Sequence, residues 1–78
     1  MGAGRRYLEK RNPEARQARF YVLHIAPTLF GEWSLVREWG RIGSPGQLKI
    51  EWFPTQEEAQ GALERRVREK LRRGYHEP

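Results

Sequence analysis

The most ordered pattern in the chain is the alternation from Trp33 to Gly43, which sets large apolar side chains against polar ones and closes on Trp39-Gly40-Arg41. A period of two marks a strand. It places Trp33, Leu35, Arg37, Trp39 and Arg41 on one face and Ser34, Val36, Glu38, Gly40 and Ile42 on the other. Neither set is cleanly apolar. Gly40 suits a bulge or a close approach of another backbone, and a bulge would reverse the phase between Trp39 and Ile42. The alternation therefore leaves open which face Trp39 takes.

The flanking patterns supply partners for this strand. Arg5 to Arg11 reads as a weak strand anchored by Tyr7 and Leu8, broken at Asn12-Pro13. Glu14 to Ala18 is a short polar connection. Arg19 to Ala26 is aromatic and β-branched, with apolar residues in both alternating sets, as a central strand requires. Pro27 to Glu32 closes a hairpin, with Leu29 and Phe30 expected to fold back over the core. Ser44-Pro45-Gly46-Gln47 predicts a type II turn, because Pro45 sets φ and Gly46 tolerates a positive one. Gln47 to Phe53 returns as a strand with Leu48, Ile50 and Trp52 on one face, and Trp33 and Trp52 are expected in the core.

After Pro54 the period changes to that of a helix. Thr55 is the expected N-cap, with Glu58 completing a capping box. The helix should run to about Arg73 and stop at Gly74. Ala59, Ala62, Leu63, Val67 and Leu71 form the stripe that packs on the sheet, with Tyr75 tucked beneath it. Gly61 lies off the stripe. The pattern predicts an α+β fold: a twisted antiparallel sheet of about four strands with one C-terminal helix packed on it. Residues 1–78 form a single domain, with 1–4 and 76–78 expected to be flexible.

Composition narrows the chemistry. A chain of 78 residues is near the lower size at which one core suffices, and with no cysteine it relies on its aromatics, three each of Trp, Tyr and Phe. It has neither an apolar run of membrane-spanning length nor an N-terminal signal segment. These features predict a soluble cytoplasmic protein. The net charge of +5 favours polyanionic partners.

Two constellations stand out. Arg65, Arg68 and Arg72 form a cationic ridge opposite the apolar stripe, readable as phosphate contacts or as a solvated face with Glu64–Arg68 and Glu69–Arg73 pairs. Trp39 lies two residues from both Arg37 and Arg41. Its indole either stacks on a nucleotide while the guanidinium groups take phosphates, or is held from within by a cation–π contact. His24 reads as a packed histidine. The chain has no aspartate, no Ser-His-acid set and no metal-ligand spacing. Catalytic residues, metal and small-molecule cofactor are all expected to be absent.

Around Trp39-Gly40-Arg41 the chain resembles the WGR domain family, named for that triplet. The resemblance runs from about Arg19 to Tyr75. It includes Phe20-Tyr21, the strand from Trp33 to Gly43, Gly46-Gln47 and the following helix. The family occurs in poly(ADP-ribose) polymerases that respond to DNA breaks, in bacterial regulators and as small stand-alone bacterial proteins, the last of which this chain resembles. The resemblance implies a non-enzymatic DNA-binding module, with Trp39 stacking at a strand end or nick and Arg41 contacting DNA or a partner. ADP-ribosylation does not carry over. Arg37, Lys49, Arg65, Arg68 and Arg72 are the expected phosphate contacts. The alternative is a protein-interaction or self-association module using the Trp39/Arg41 surface. A membrane-surface role fits worst, since the helix's apolar stripe is needed for the core.

Overall fold

The computed structural model describes residues 5–78; the N-terminal four, expected to be flexible, lie outside the described residues. Strands β1 (Arg6–Asn12), β2 (Gln17–Pro27), β3 (Trp33–Arg41) and β4 (Gln47–Phe53) form an antiparallel sheet in the order β1-β2-β3-β4, followed by helix α1 (Gln56–Arg72). This is the predicted α+β architecture. Among the described residues, no helix is long and apolar enough to cross a membrane.

The register assigns the faces. Leu8, Tyr21, Trp39 and Gln47 form one cross-strand row. On that side Leu8, Tyr21, Leu23 and Leu35 are buried against Ala62, Leu63 and Val67 of α1, with Ile25, Trp39, Phe53 and Tyr75 packed around them. The pairing runs unbroken past Phe20↔Gly40 to Arg19↔Arg41, so β3 carries no bulge and its phase holds. Gly40 serves a close approach instead: a Cβ there would lie 2.9 Å from Gly46 Cα. A Cβ on Gly46 would in turn meet the Trp39 carbonyl and come 2.8 Å from Phe20 Cζ.

That packing moves the turn. Gly46 does not take a positive φ; Gly43 does, at +90°, and Ser44 N–H donates to Arg41 O at 3.1 Å. The type II pattern thus falls on Arg41–Ser44 rather than Ser44–Gln47. The β2–β3 connection also departs from expectation. Thr28 Oγ1 accepts from Phe30 N–H and Glu32 N–H, both at 3.2 Å, and Gly31 turns at φ +85°. This tight polar turn throws Leu29 and Phe30 outward, 98 % and 88 % exposed, so they are no lid.

The helix starts at the predicted N-cap, with Glu58 N–H donating to Thr55 Oγ1 at 3.1 Å, but the Glu58 carboxylate accepts from the Thr55 hydroxyl at 3.4 Å rather than closing the capping box on the Thr55 N–H. Leu71 is the exception in its stripe and is exposed. Residues spaced by four drift about 40° per step round a helix of 3.6 residues per turn, and by Leu71 the drift from Ala59 has carried it off the sheet.

The opposite face of the sheet is covered by no described element. It carries the rows Tyr7–Val22–Glu38–Leu48, His24–Val36–Ile50 and Ala26–Ser34–Trp52. Trp52, expected in the core, belongs to this face and is 60 % exposed. The C-terminal tail is also not free. His76 pairs with Glu9 through two backbone bonds of 2.8 Å, and Glu77 receives Arg6 at 2.6 and 2.7 Å.

Two tests follow from this packing. Gly46→Ala should cost about 1–3 kcal/mol, because β3 cannot retreat from the new methyl. Gly61→Ala should gain up to about 1 kcal/mol, since a Cβ there meets only Arg65 Nη1, at 3.6 Å. Urea denaturation of both variants checks this. The Arg6 guanidinium holds the Glu77 carboxyl below its ordinary value of 4.5. A carboxyl depressed on folding stabilises above its unfolded pKa and loses that contribution as pH falls through its folded value. Acidification below about pH 4.5 should therefore release the tail. The Glu9 and His76 amide shifts should move toward those of Glu77→Gln measured at neutral pH.

Candidate nucleic-acid interface

At the end of the sheet near the C-terminus of α1, three aromatic rings converge. The Tyr21 and Trp39 rings stack at 5.8 Å between centroids and 18° between planes. Tyr75 meets Tyr21 edge-on, at 6.2 Å and 77°. Tyr75 is delivered by the helix stop: Gly74 at φ +97° lets its own N–H donate to Leu71 O at 3.2 Å and Tyr75 N–H donate to Lys70 O at 3.0 Å. This paired closure is the Schellman arrangement.

Cations surround the rings. Lys70 Nζ lies 4.7 Å from the Tyr21 centroid, and Lys10 Nζ lies 5.8 Å from that of Tyr75. Burial, reinforced by Arg73, pushes the Lys70 ammonium below its usual range. Lys70 thus reads mainly as part of the cluster's wall.

Arg37 is drawn inside. It is only 7 % exposed, Nη1 donates to Tyr21 Oη at 2.9 Å, and Nε lies 3.3 Å from Glu51 Oε1 without hydrogen-bond alignment. Its Cζ sits 5.6 Å from the Trp39 ring centroid. Arg37, expected as a phosphate contact, is thus placed inside the fold, with Nη1 engaged by Tyr21 and Nε turned toward Glu51. Arg37 positions Trp39 by the internal cation–π contact. The half-buried indole nonetheless remains partly open to solvent.

Beyond Trp39 the same face turns strongly basic. Arg41 pairs directly opposite Arg19, and both are exposed. With Arg16, Ala15, Gln17 and Ala18 they line a hollow of about 140 Å³. Arg16 occupies a left-handed position at φ +53°, closing the short 3-10 turn Pro13–Ala15. Lys49 lies on this face too, opposite Arg37 on the next strand. Arg16, Arg19, Arg41 and Lys49 form no ion pair among the described residues.

The sequence-predicted set therefore divides. Trp39, Arg41 and Lys49 share the helix-side face of the sheet. Arg65, Arg68 and Arg72 are exposed on α1, with Arg65 bordering a hollow beside β4. The helix pairs expected to neutralise them do not form: Glu64 binds Arg6 at 3.2 Å and Glu69 lies 3.6 Å from Arg66. A larger hollow of about 360 Å³ lies between β4 and α1, but Glu51 and Glu69 already face its Arg66.

Sequence reasoning missed Arg16 and Arg19. Both precede or begin the central strand, more than 20 positions from Trp39 in the case of Arg16. Only the β2–β3 register sets Arg19 against Arg41. The available signal was their charge in a turn and strand otherwise free of function.

The WGR domain family model matches residues 4–78. Over 71 residues the chain is 41 % identical to the Uncharacterized protein y4dW of Sinorhizobium fredii (strain NBRC 101917 / NGR234), covering 91 % of this chain and 35 % of that protein. Over 70 residues it is 30 % identical to the human Protein mono-ADP-ribosyltransferase PARP3, covering 90 % of this chain and 13 % of that protein. The chain thus spans about a third or less of the curated relatives it matches. No solved structure matches it.

The different roles of the two arginines flanking Trp39 are measurable. Arg37→Ala strands the Tyr21 hydroxyl and the Glu51 carboxylate and should cost about 2–4 kcal/mol. Arg41→Ala, at an exposed position, should stay within about 0.5 kcal/mol of the native chain. Chemical denaturation of the two variants distinguishes them.

Proposed function

We propose that the chain, which belongs to the WGR domain family, is a non-enzymatic DNA-binding module whose contact surface is the basic end of the sheet around Trp39. The observation that carries this reading is the placing of Arg19 directly opposite Arg41, beside Arg16, with no acidic partner among the described residues. Like charges opposite each other on adjacent strands are destabilising. A bound polyanion converts that repulsion into attraction.

The rest of the surface suits a nucleic acid. Trp39 offers a held, partly open indole for stacking on a base or sugar. Arg16, Arg19, Arg41 and Lys49 supply guanidinium and ammonium groups for phosphates, which position a strand without reading its sequence. A stacking residue at the end of a sheet favours strand ends and nicks, where a terminal nucleotide is free to unstack. Arg65, Arg68 and Arg72 lie on α1 and add long-range attraction rather than contacts at this surface.

Fluorescence anisotropy on linear, nicked and closed circular DNA tests the reading. Affinity should fall steeply between low and moderate salt, and Arg41→Ala should reduce the salt slope by about one. Trp39→Ala, once shown folded by circular dichroism, should weaken binding about tenfold or more. Linear and nicked DNA should outcompete closed circles. Unchanged binding by a folded Trp39→Ala would overturn the surface, and equal competition by closed circles would overturn the end preference.

A further inference from the structure

The sheet has two edges, and they are treated differently. β1 is partly closed by the tail, through the Glu9–His76 bridge and the Arg6–Glu77 ion pair. β4, the other edge, is paired only with β3 among the described residues. It carries an exposed apolar set on the uncovered face: Leu48 and Trp52, each 60 % exposed, and Ile50 between them. An exposed apolar edge is a template for another strand.

The sequence of that edge is complementary to itself. We propose that two copies of the chain join β4 to β4, antiparallel, about a two-fold axis through Ile50. In this register Leu48 lies opposite the second copy's Trp52, Lys49 opposite its Glu51, and Ile50 opposite its Ile50. Each polar pair is of opposite charge and each pair on the uncovered face is apolar, which is how cross-strand neighbours stabilise a sheet.

Other registers fail. Sliding the pairing so that the axis passes through Lys49 sets lysine against lysine. An axis through Glu51 sets glutamate against glutamate. An axis between two residues places side chains of the uncovered face opposite those of the helix-covered face, breaking the continuity of both layers. The register through Ile50 keeps both helices on one side, joins the two uncovered apolar faces into one, and alone sets each Lys49 opposite a Glu51. The contact is isologous and closes after two copies.

This pairing gives Lys49 a partner it lacks in the single chain, and in the joined pair phosphate contact falls to Arg16, Arg19 and Arg41. Glu51 already faces Arg37 and Arg66, at 3.3 and 3.9 Å, so the seam extends an existing charge network across the axis. The two Trp39 surfaces come to lie at opposite ends of the joined sheet. The seam itself is small, and the association should be weak, micromolar or above.

Sedimentation equilibrium of the full chain tests this, with the mass expected to climb from 9.3 kDa toward twice that value as concentration rises. Lys49→Glu sets like charges against each other at both symmetric positions and should raise the dissociation constant about tenfold or more, with an unchanged circular dichroism spectrum. Since the native chain has no cysteine, single cysteines report the register directly. Ile50→Cys should form a disulfide-linked dimer about tenfold faster than Leu48→Cys or Trp52→Cys, because only position 50 meets its own copy. A mass fixed at 9.3 kDa, dimerisation undiminished in folded Lys49→Glu, or equal cross-linking at the three positions would overturn the proposal. None of these readouts involves DNA, so the outcome stands apart from the proposed binding activity.

Discussion

The structure depends most on where the Arg37 guanidinium goes. The group cannot lose its proton, and removing it from water is costly unless its donors are met. Tyr21 on β2 and Glu51 on β4 meet it from either side of β3, so one buried cation ties three of the four strands together. The same group lies over Trp39, on which Tyr21 also stacks. Holding the core and orienting the exposed-end tryptophan are therefore one task. A small domain with one apolar layer gains rigidity from such a group where additional hydrophobic volume is absent.

That one-layer construction explains the rest of the surface. A single helix can cover only one face of a four-stranded sheet, and α1 covers the side bearing Leu8, Tyr21, Leu23 and Leu35. The other side keeps Val22, Val36, Ile50 and Trp52 without a layer over them. Here the imbalance is largest along β4, the edge without the tail. The positive charge concentrates instead at the end carrying the β1–β2 and β3–β4 turns. Polar and apolar contacts are thus segregated to different parts of one sheet.

Much of this was legible from the residues, in proportion to how local the causes are. Thr55, Glu58 and Gly74 fixed both ends of α1 by short-range hydrogen bonds, and the alternation in β3 held its phase from end to end. The errors came where a distant backbone decided the matter. Gly46 looked like a turn glycine, yet it is small because β3 and Phe20 press on it. Leu29 and Phe30 looked like core residues, yet the Thr28 hydroxyl closes their turn away from it. Arg37 and Arg41 looked equivalent beside Trp39, and nothing local separates them. Tyr21 and Glu51 draw the first inward, while Arg19 opposes the second. Trp52 was misplaced because strand parity does not say which parity the helix will cover.

The triplet can then be understood as a device rather than a label. Trp39 and Arg41, two residues apart, project from the same face because β3 continues straight between them. The residue between them projects to the opposite face, where Gly46 and the Phe20 ring occupy the space a side chain would need. A larger residue at position 40 would push the β3–β4 connection away or bend the strand. Either movement would turn Trp39 off Tyr21 and separate Arg41 from Arg19. The glycine is thus what keeps an aromatic surface and an unneutralised guanidinium pair in one plane. Its effect on any ligand is exerted through that alignment, since it has no side chain to reach one.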